Sequence, residues 1–316
     1  MSQGTTAQAI DAGGDITGNS IDSNDVRHAF FQSSAGTITL FDAPGAGTTA
    51  HQGTFTSSIN ASGTISGLFA DSSNVVHGYL RSQSGTFTVI DAPNSTTTGT
   101  YGLNDSGVAV GWFNDSVSRS HGFQRATDGT FTVFDAPNVG TTGGTFIFKI
   151  NAAGDIVGFS VDSSGVLHGL LRTASGTLIA LDAPGAGTAS GEGTEALQIN
   201  TGGLIVGAVI AGGVRHSFLR AADGTYTVFN PPSAGPLGSV AVNLDDNGAV
   251  IGHYNDASGA VHGYLRNSDG TFTTIDDPSA FSGSNSGTLP QGINASGVIV
   301  GYYDDSANST HGFVRK

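Results

Sequence analysis

The chain has 316 residues, no cysteine, 11 Lys+Arg against 25 Asp+Glu, and a formal charge of −14. An acidic surface repels phosphate, which excludes nucleic acid as a partner, and without cysteine there are no disulfides, thiolate metal sites or cysteine nucleophiles. No apolar run of about 18 residues is present, so membrane insertion is not expected.

Only two Glu, two Lys and one Met occur among 49 glycines, so the usual helix formers are scarce and long helices are not expected. The opening Met-Ser-Gln-Gly-Thr-Thr lacks a basic segment leading into an apolar stretch, so it does not read as a signal peptide. A first strand then closes at Ile10, followed by a turn at Asp11 to Gly14. The next two strands flank a polar turn at Asp22, the later one carrying His28-Ala29-Phe30. A fourth ends at Phe41-Asp42-Ala43-Pro44, where proline cannot donate to a sheet ladder.

The same four elements then recur. The histidine returns at His77, His121, His168, His216, His262 and His311, 44 to 49 residues apart. Shared segments begin near Ile10, Ile59, Leu103, Ile150, Ile199, Leu244 and Ile293. The second strand is a continuous apolar run, such as Val298 to Tyr303, as suits a strand covered on both faces. Four short strands per unit of about 47 residues predict an all-β chain, a seven-bladed β-propeller forming one domain over residues 1–316. The Asp-Ala-Pro strand occurs six times, at Asp42, Asp91, Asp135, Asp182, Asn230 and Asp276. The last blade is therefore expected to be three-stranded, giving 27 strands.

The pattern Ile293-Asn294-Ala295-Ser296-Gly297-Val298-Ile299-Val300-Gly301, followed by His311-Gly312-Phe313, resembles the bacterial extracellular HAF-type repeats; His28-Ala29-Phe30 is the literal tripeptide. The resemblance covers essentially the whole chain, although the Phe-Asp-Ala-Pro element is not part of the usual repeat. It implies an exported protein, extracellular or on the cell surface, and carries no known chemistry.

Aspartate precedes the histidine by six residues in six repeats, from Asp22 to Asp305, and arginine follows it by four in six, from Arg81 to Arg315. A site used in almost every repeat reads as architecture: Asp caps its turn, His bonds within the blade, and Arg pairs with the blade's Asp. Asn-x-Ser/Thr at Asn60, Asn104 and Asn294 falls in the recurring turn and reads as turn chemistry. Asp245-Asp246-Asn247-Gly248 offers oxygen ligands without a full calcium-loop spacing, so no cofactor is expected beyond adventitious calcium.

Subtracting the repeat leaves the informative residues. Glu192 and Glu195 are the only glutamates, His51 and His253 the only histidines outside the repeating position, and Trp112 the only tryptophan. The connections from strand four to strand one share a face with the two-to-three turns, so these residues are expected at one mouth of a central channel, with Phe113, Tyr254 and Tyr302 beside them. The position before the closing Ile or Leu reads Ala9, Ser58, Gly102, Lys149, Gln198, Asn243 and Gly292. Polar or small throughout, it is expected to line the channel, with Lys149, Gln198 and Asn243 side by side. Lys149 would neutralise nearby aspartates or hold an anionic group such as a uronate or a peptide carboxylate.

Two functions follow. One is a monomeric, non-catalytic binding module taking a carbohydrate or protein ligand at an aromatic, hydroxyl-rich mouth. The other is a hydrolase or lyase with Glu195 or Glu192 as general base and His253 as general acid. There is no Gly-x-Ser-x-Gly elbow, no His-Glu-x-x-His and no phosphate-cradling loop.

Overall fold

The computed structural model describes residues 4–137, 139–140 and 143–316. These residues form 27 strands and no helix. In the first repeat β1 (Gly4–Ile10), β2 (Ile16–Ile21), β3 (Arg27–Gln32) and β4 (Ile38–Phe41) pair antiparallel in chain order. Each later repeat builds the same meander, ending with β25 (Thr288–Ile293), β26 (Ile299–Asp304) and β27 (Thr310–Arg315), which has three strands. Gly4 of β1 pairs with Thr310 of β27, joining the first repeat to the last.

The first strand of every repeat carries a β-bulge two residues before its closing Ile or Leu. In the fourth repeat Ile147 pairs with Gly158 and Lys149 with Val157, leaving Phe148 unmatched; the other six repeats shift at the equivalent place. A bulge kinks its strand and brings backbone close to the partner. Here it lays the carbonyl of Phe146 against Gly158, so that a Cβ there would fall onto the oxygen. The same approach recurs at the equivalent glycine of the other six repeats, which is why strand two always carries glycine there.

The core lies between neighbouring repeats. Val157 and Leu181 of the fourth repeat pack with Ile199, Ile205 and Phe218 of the fifth, all buried. Three of the recurring arginines belong to this packing, and among the described residues none of the six pairs with aspartate, contrary to the expectation above. Arg81 stacks 4.5 Å over Phe41 of the preceding repeat, Arg172 4.8 Å over Phe134 and Arg266 5.0 Å over Phe229. A guanidinium is weakly hydrated and planar, so an aromatic face in the groove between sheets suits it better than an exposed carboxylate.

The turn asparagines do more than hold their turns. Asn60 Oδ1 accepts the N–H of Thr64, as turn chemistry requires, while its Nδ2 donates to the carbonyl of Asn104 in the next repeat. Asn104 donates to Asn151, Asn151 to Asn200, Asn200 to Asp245, and Asn294 to Asp11. The ladder breaks after Asp11 and Asp245, because a carboxylate has no N–H to give. Burial, together with the charge of Asp15, pushes the Asp11 carboxyl up. Asp11→Asn supplies the absent donor and removes that charge, and is expected to stabilise the fold by about 1 kcal/mol. A raised carboxyl weakens the fold only where it is ionised. The gain in urea midpoint should therefore be full at pH 7 and shrink as pH falls below the raised value.

Candidate ligand site

The recurring histidine sits between two carboxylates. Nδ1 of His168 lies 2.9 Å from Asp182 and Nε2 lies 3.5 Å from Asp162, whose Oδ1 accepts the turn N–H groups of Ser164 and Val166. The pattern repeats at His28, His77, His121 and His262. At His216, where the turn aspartate is absent, Asn230 takes the partner's place. The arrangement links strand four to the two-to-three turn and is architectural, as the sequence suggested. No cluster of three or more ligating side chains suited to a metal occurs among the described residues. Backbone N–H donors, Val166 first at Asp162, hold the turn aspartates Asp22, Asp71, Asp115, Asp162 and Asp305 below the usual carboxylate range. Asp256 is held at about 2, chiefly by the Ser258 hydroxyl. Depressed carboxyls contribute stability above their unfolded pKa and lose it as pH falls through the folded value. The urea midpoint should thus drop on acidification from about pH 4 towards pH 2.

Residues from all seven repeats converge on a cavity of about 250 Å³ at the strand one-to-two turns, where Asp11, Asp105, Asp245 and Asp246 make the lining acidic. A second cavity, of about 330 Å³, has the opposite character. Its walls are Phe55, Tyr101, Phe148 and Leu68, with Gln8, Asn19 and Ser57 as polar groups, Arg27 and Lys149 as cations, and no carboxylate. The bulge builds this wall: Gln8, Ser57, Tyr101 and Phe148 are the unmatched residues of the first four repeats. Tyr101 stacks on Trp112 at 5.7 Å with an interplanar angle of 7°, and meets Phe148 edge-on at 5.8 Å. Trp112 lies edge-on to Phe146 at 5.2 Å, and its Nε1 is buried without an acceptor. Arg27 lies 4.6 Å over the Phe55 ring.

Lys149 is the chemical centre of this cavity. Protein surrounds it on every side, yet part of its surface stays free because it projects into the open space. Its Nζ donates to the carbonyl of Ser57, 3.3 Å away in the second repeat. Among the described residues no carboxylate lies within ion-pair distance of it, so it does not neutralise aspartates as first supposed. Burial lowers the ammonium to about 8. Lys149, Gln198 and Asn243 hold the same position after the bulge in successive repeats, but their side chains bond differently. Gln198 and Asn243 bond to each other at 2.9 Å, and Asn243 donates to the carbonyl of Gln291, while Lys149 reaches across to the second repeat.

The remaining candidates fall into separate places. Phe113 and Tyr254 are buried within their own sheets, stacked on His121 and His262, and do not reach a mouth. Tyr302 is half-buried, and burial raises its phenol. His51 is an exposed loop residue at φ 69°, its Nδ1 2.9 Å from the Asp25 carboxylate. Glu192 caps its own loop through the N–H of Ala189, as Gln52 does for Thr49 in the second repeat. Glu195 is bound 2.8 Å from Arg215. His253 is half-buried, its Nδ1 enclosed and unpartnered, and burial with the nearby Arg215 charge lowers it to about 4. It is therefore in its neutral form at pH 7, where an imidazole is a weak proton donor, while Glu195 is engaged by Arg215.

Sequence reasoning missed Arg27, Phe55, Tyr101 and Phe148. Strict alternation along strand one directs only one of two adjacent residues to the channel, but a bulge lets consecutive residues share a side. The available signal was that the bulge position varies as freely as its neighbour: Gln8, Ser57, Tyr101, Phe148, Leu197, Val242, Gln291.

Inter-repeat packing, meanders in chain order and convergent first strands define a protein of the β-propeller class. The chain is similar in fold to the β-propeller domain of the Trilobed protease from Pyrococcus furiosus (10% identity, 99% of this chain and 95% of that one, TM-score 0.63). It is likewise similar to the BP39L lectin from Burkholderia pseudomallei (11% identity, 98% and 97% covered, TM-score 0.56). TolB from Acinetobacter baumannii matches over 86% of this chain and 63% of its own, at 11% identity and TM-score 0.54. No family model and no curated protein matches the sequence.

Proposed function

We propose that the chain is a seven-bladed propeller, its last blade three-stranded, that acts as a non-catalytic binding module for a carboxylate-bearing glycan held in the channel. The observation that carries this reading is Lys149: an ammonium enclosed by aromatic walls, satisfied only by a neutral carbonyl, in a cavity free of carboxylates within a chain of charge −14. A buried unpaired cation is costly, and an anionic ligand offsets that cost on binding. Tyr101 and Phe148 offer apolar faces for a sugar ring, and Arg27 a second donor for its acid group. The fold likeness to a lectin agrees with a carbohydrate ligand.

The test is a glycan panel holding neutral, sulfated and uronate oligosaccharides, read for retention and for product. Retention of uronates without cleavage is the expected result. Cleavage of any bound glycan would favour the hydrolase reading, and retention of neutral glycans alone would end the proposal.

A further inference from the structure

The outer edge of β27 is built like six other edges in the same molecule, each of which carries a fourth strand. β3 carries β4 with Ala29 opposite Phe41 and Gln32 opposite Ile38, and the equivalent strands of the next five repeats do the same. Among the described residues β27 pairs only with β26 and, at Thr310, with β1. We infer that β27 is an acceptor edge for an extended peptide of the pattern Gly-Thr-apolar-x-x-apolar-Asp/Asn, which binds as an added strand antiparallel to it.

Three observations at separate places agree. First, the residue two after the histidine is buried in six repeats, as in Tyr79, Phe123 and Phe218, whereas Phe313 is only half-buried. Val314 beside it is 43% exposed. Both line an apolar groove of about 180 Å³ shared with Phe30, Ile38 and Leu40 of the first repeat. Second, Nδ1 of the histidine meets the aspartate that ends strand four in five repeats, while His311 has only Asp305, on Nε2. Third, the threonine that opens strand one accepts the N–H following that same aspartate, as Thr54 does from Ala43 and Thr194 from Ala183. The hydroxyl of Thr5 instead accepts from Gly312, within β27 itself.

An apolar slot and an imidazole nitrogen therefore lack the neighbour that the other repeats supply, and the Thr5 hydroxyl bonds to the edge N–H of Gly312 in place of that neighbour's backbone. The six internal copies state its chemistry. Charge fits as well: His311, Arg315 and Lys316 sit on or beside this edge, and the peptide brings an aspartate. Main-chain bonds along the edge would supply affinity, and the groove with His311 would supply selectivity.

The probe is the nine-residue peptide of sequence Gly-Thr-Phe-Thr-Val-Phe-Asp-Ala-Pro, identical to residues 129–137, labelled and titrated into the full chain. Saturable one-to-one binding that slows hydrogen exchange at residues 312–315 is expected. Replacing the peptide's aspartate by asparagine should weaken binding roughly 5- to 10-fold in the wild type and little in His311→Ala, since only the first pair is charge-assisted. Val314→Pro, which removes an edge N–H at the last strand, should abolish binding with the melting transition retained. Should that variant unfold, Val314→Lys, which puts a charge in the groove, takes its place. Absence of saturable binding, or protection elsewhere than β27, would overturn the inference. A chain that self-associates through β27 and excludes the peptide would assign the edge to a second copy instead.

Discussion

Gly158→Ala is expected to destabilise the protein by about 3 kcal/mol or more, because the added Cβ meets the rigid backbone of the neighbouring strand. The carbonyl of Phe146 lies under Gly158, and behind it the bulged segment Ile147-Phe148-Lys149 is fixed by its own pairing. Relief would require flattening the bulge, which shifts strand one by a residue and turns Ile147 out of the core. A control exists in the same repeat. Gly154 is at φ 93°, with only the Ala174 side chain near its open side. Gly154→Asn should cost far less, since asparagine tolerates left-handed backbone. Urea midpoints of both variants decide the matter. Equal losses would show that conformational freedom, and not the close approach, requires the strand-two glycine.

Lys149→Met is expected to raise stability at pH 7 while removing the preference for an acidic ligand. Burial lowers the ammonium from 10.5 to about 8, so the folded state disfavours the charged form. The group keeps some open surface in the cavity, which discounts the cost to on the order of 2 kcal/mol. That cost is fully present below about pH 8 and vanishes as pH rises through the unfolded value. The midpoint advantage of Lys149→Met should therefore hold from pH 6 to about 8 and close towards pH 10.5. A residue that weakens the fold and pairs with nothing charged is what a binding site retains and a scaffold discards. An unchanged or lower midpoint at pH 7 would mean that Lys149 already has its counter-charge.

Strand number, repeat spacing and the three-stranded last repeat were legible because each strand is short, apolar and punctuated by Gly, Asn or Pro. The His–Asp linkage was legible as architecture because it recurs. What could not be read was anything decided between repeats. Arg81 stacks on Phe41 and Asn60 donates to the carbonyl of Asn104, contacts between residues about 40 apart that no local pattern displays. Subtraction of the repeat found Lys149 and Trp112, which the structure brings near Tyr101, but it also selected Glu192 and His51, whose rarity reflects loop geometry. The bulge set the limit: it moved Tyr101 and Phe148 into the wall where alternation had placed only Lys149.

The most direct measurement is a calorimetric titration of an oligogalacturonate and its methyl ester into the wild type and Lys149→Met. The account predicts that the free acid binds the wild type roughly 10- to 100-fold tighter than the ester, the worth of one charge-assisted contact in a partly buried site. In Lys149→Met the acid should fall to the level of the ester, which should itself change little. Equal affinity of acid and ester for the wild type, or an acid preference that survives the substitution, would contradict it.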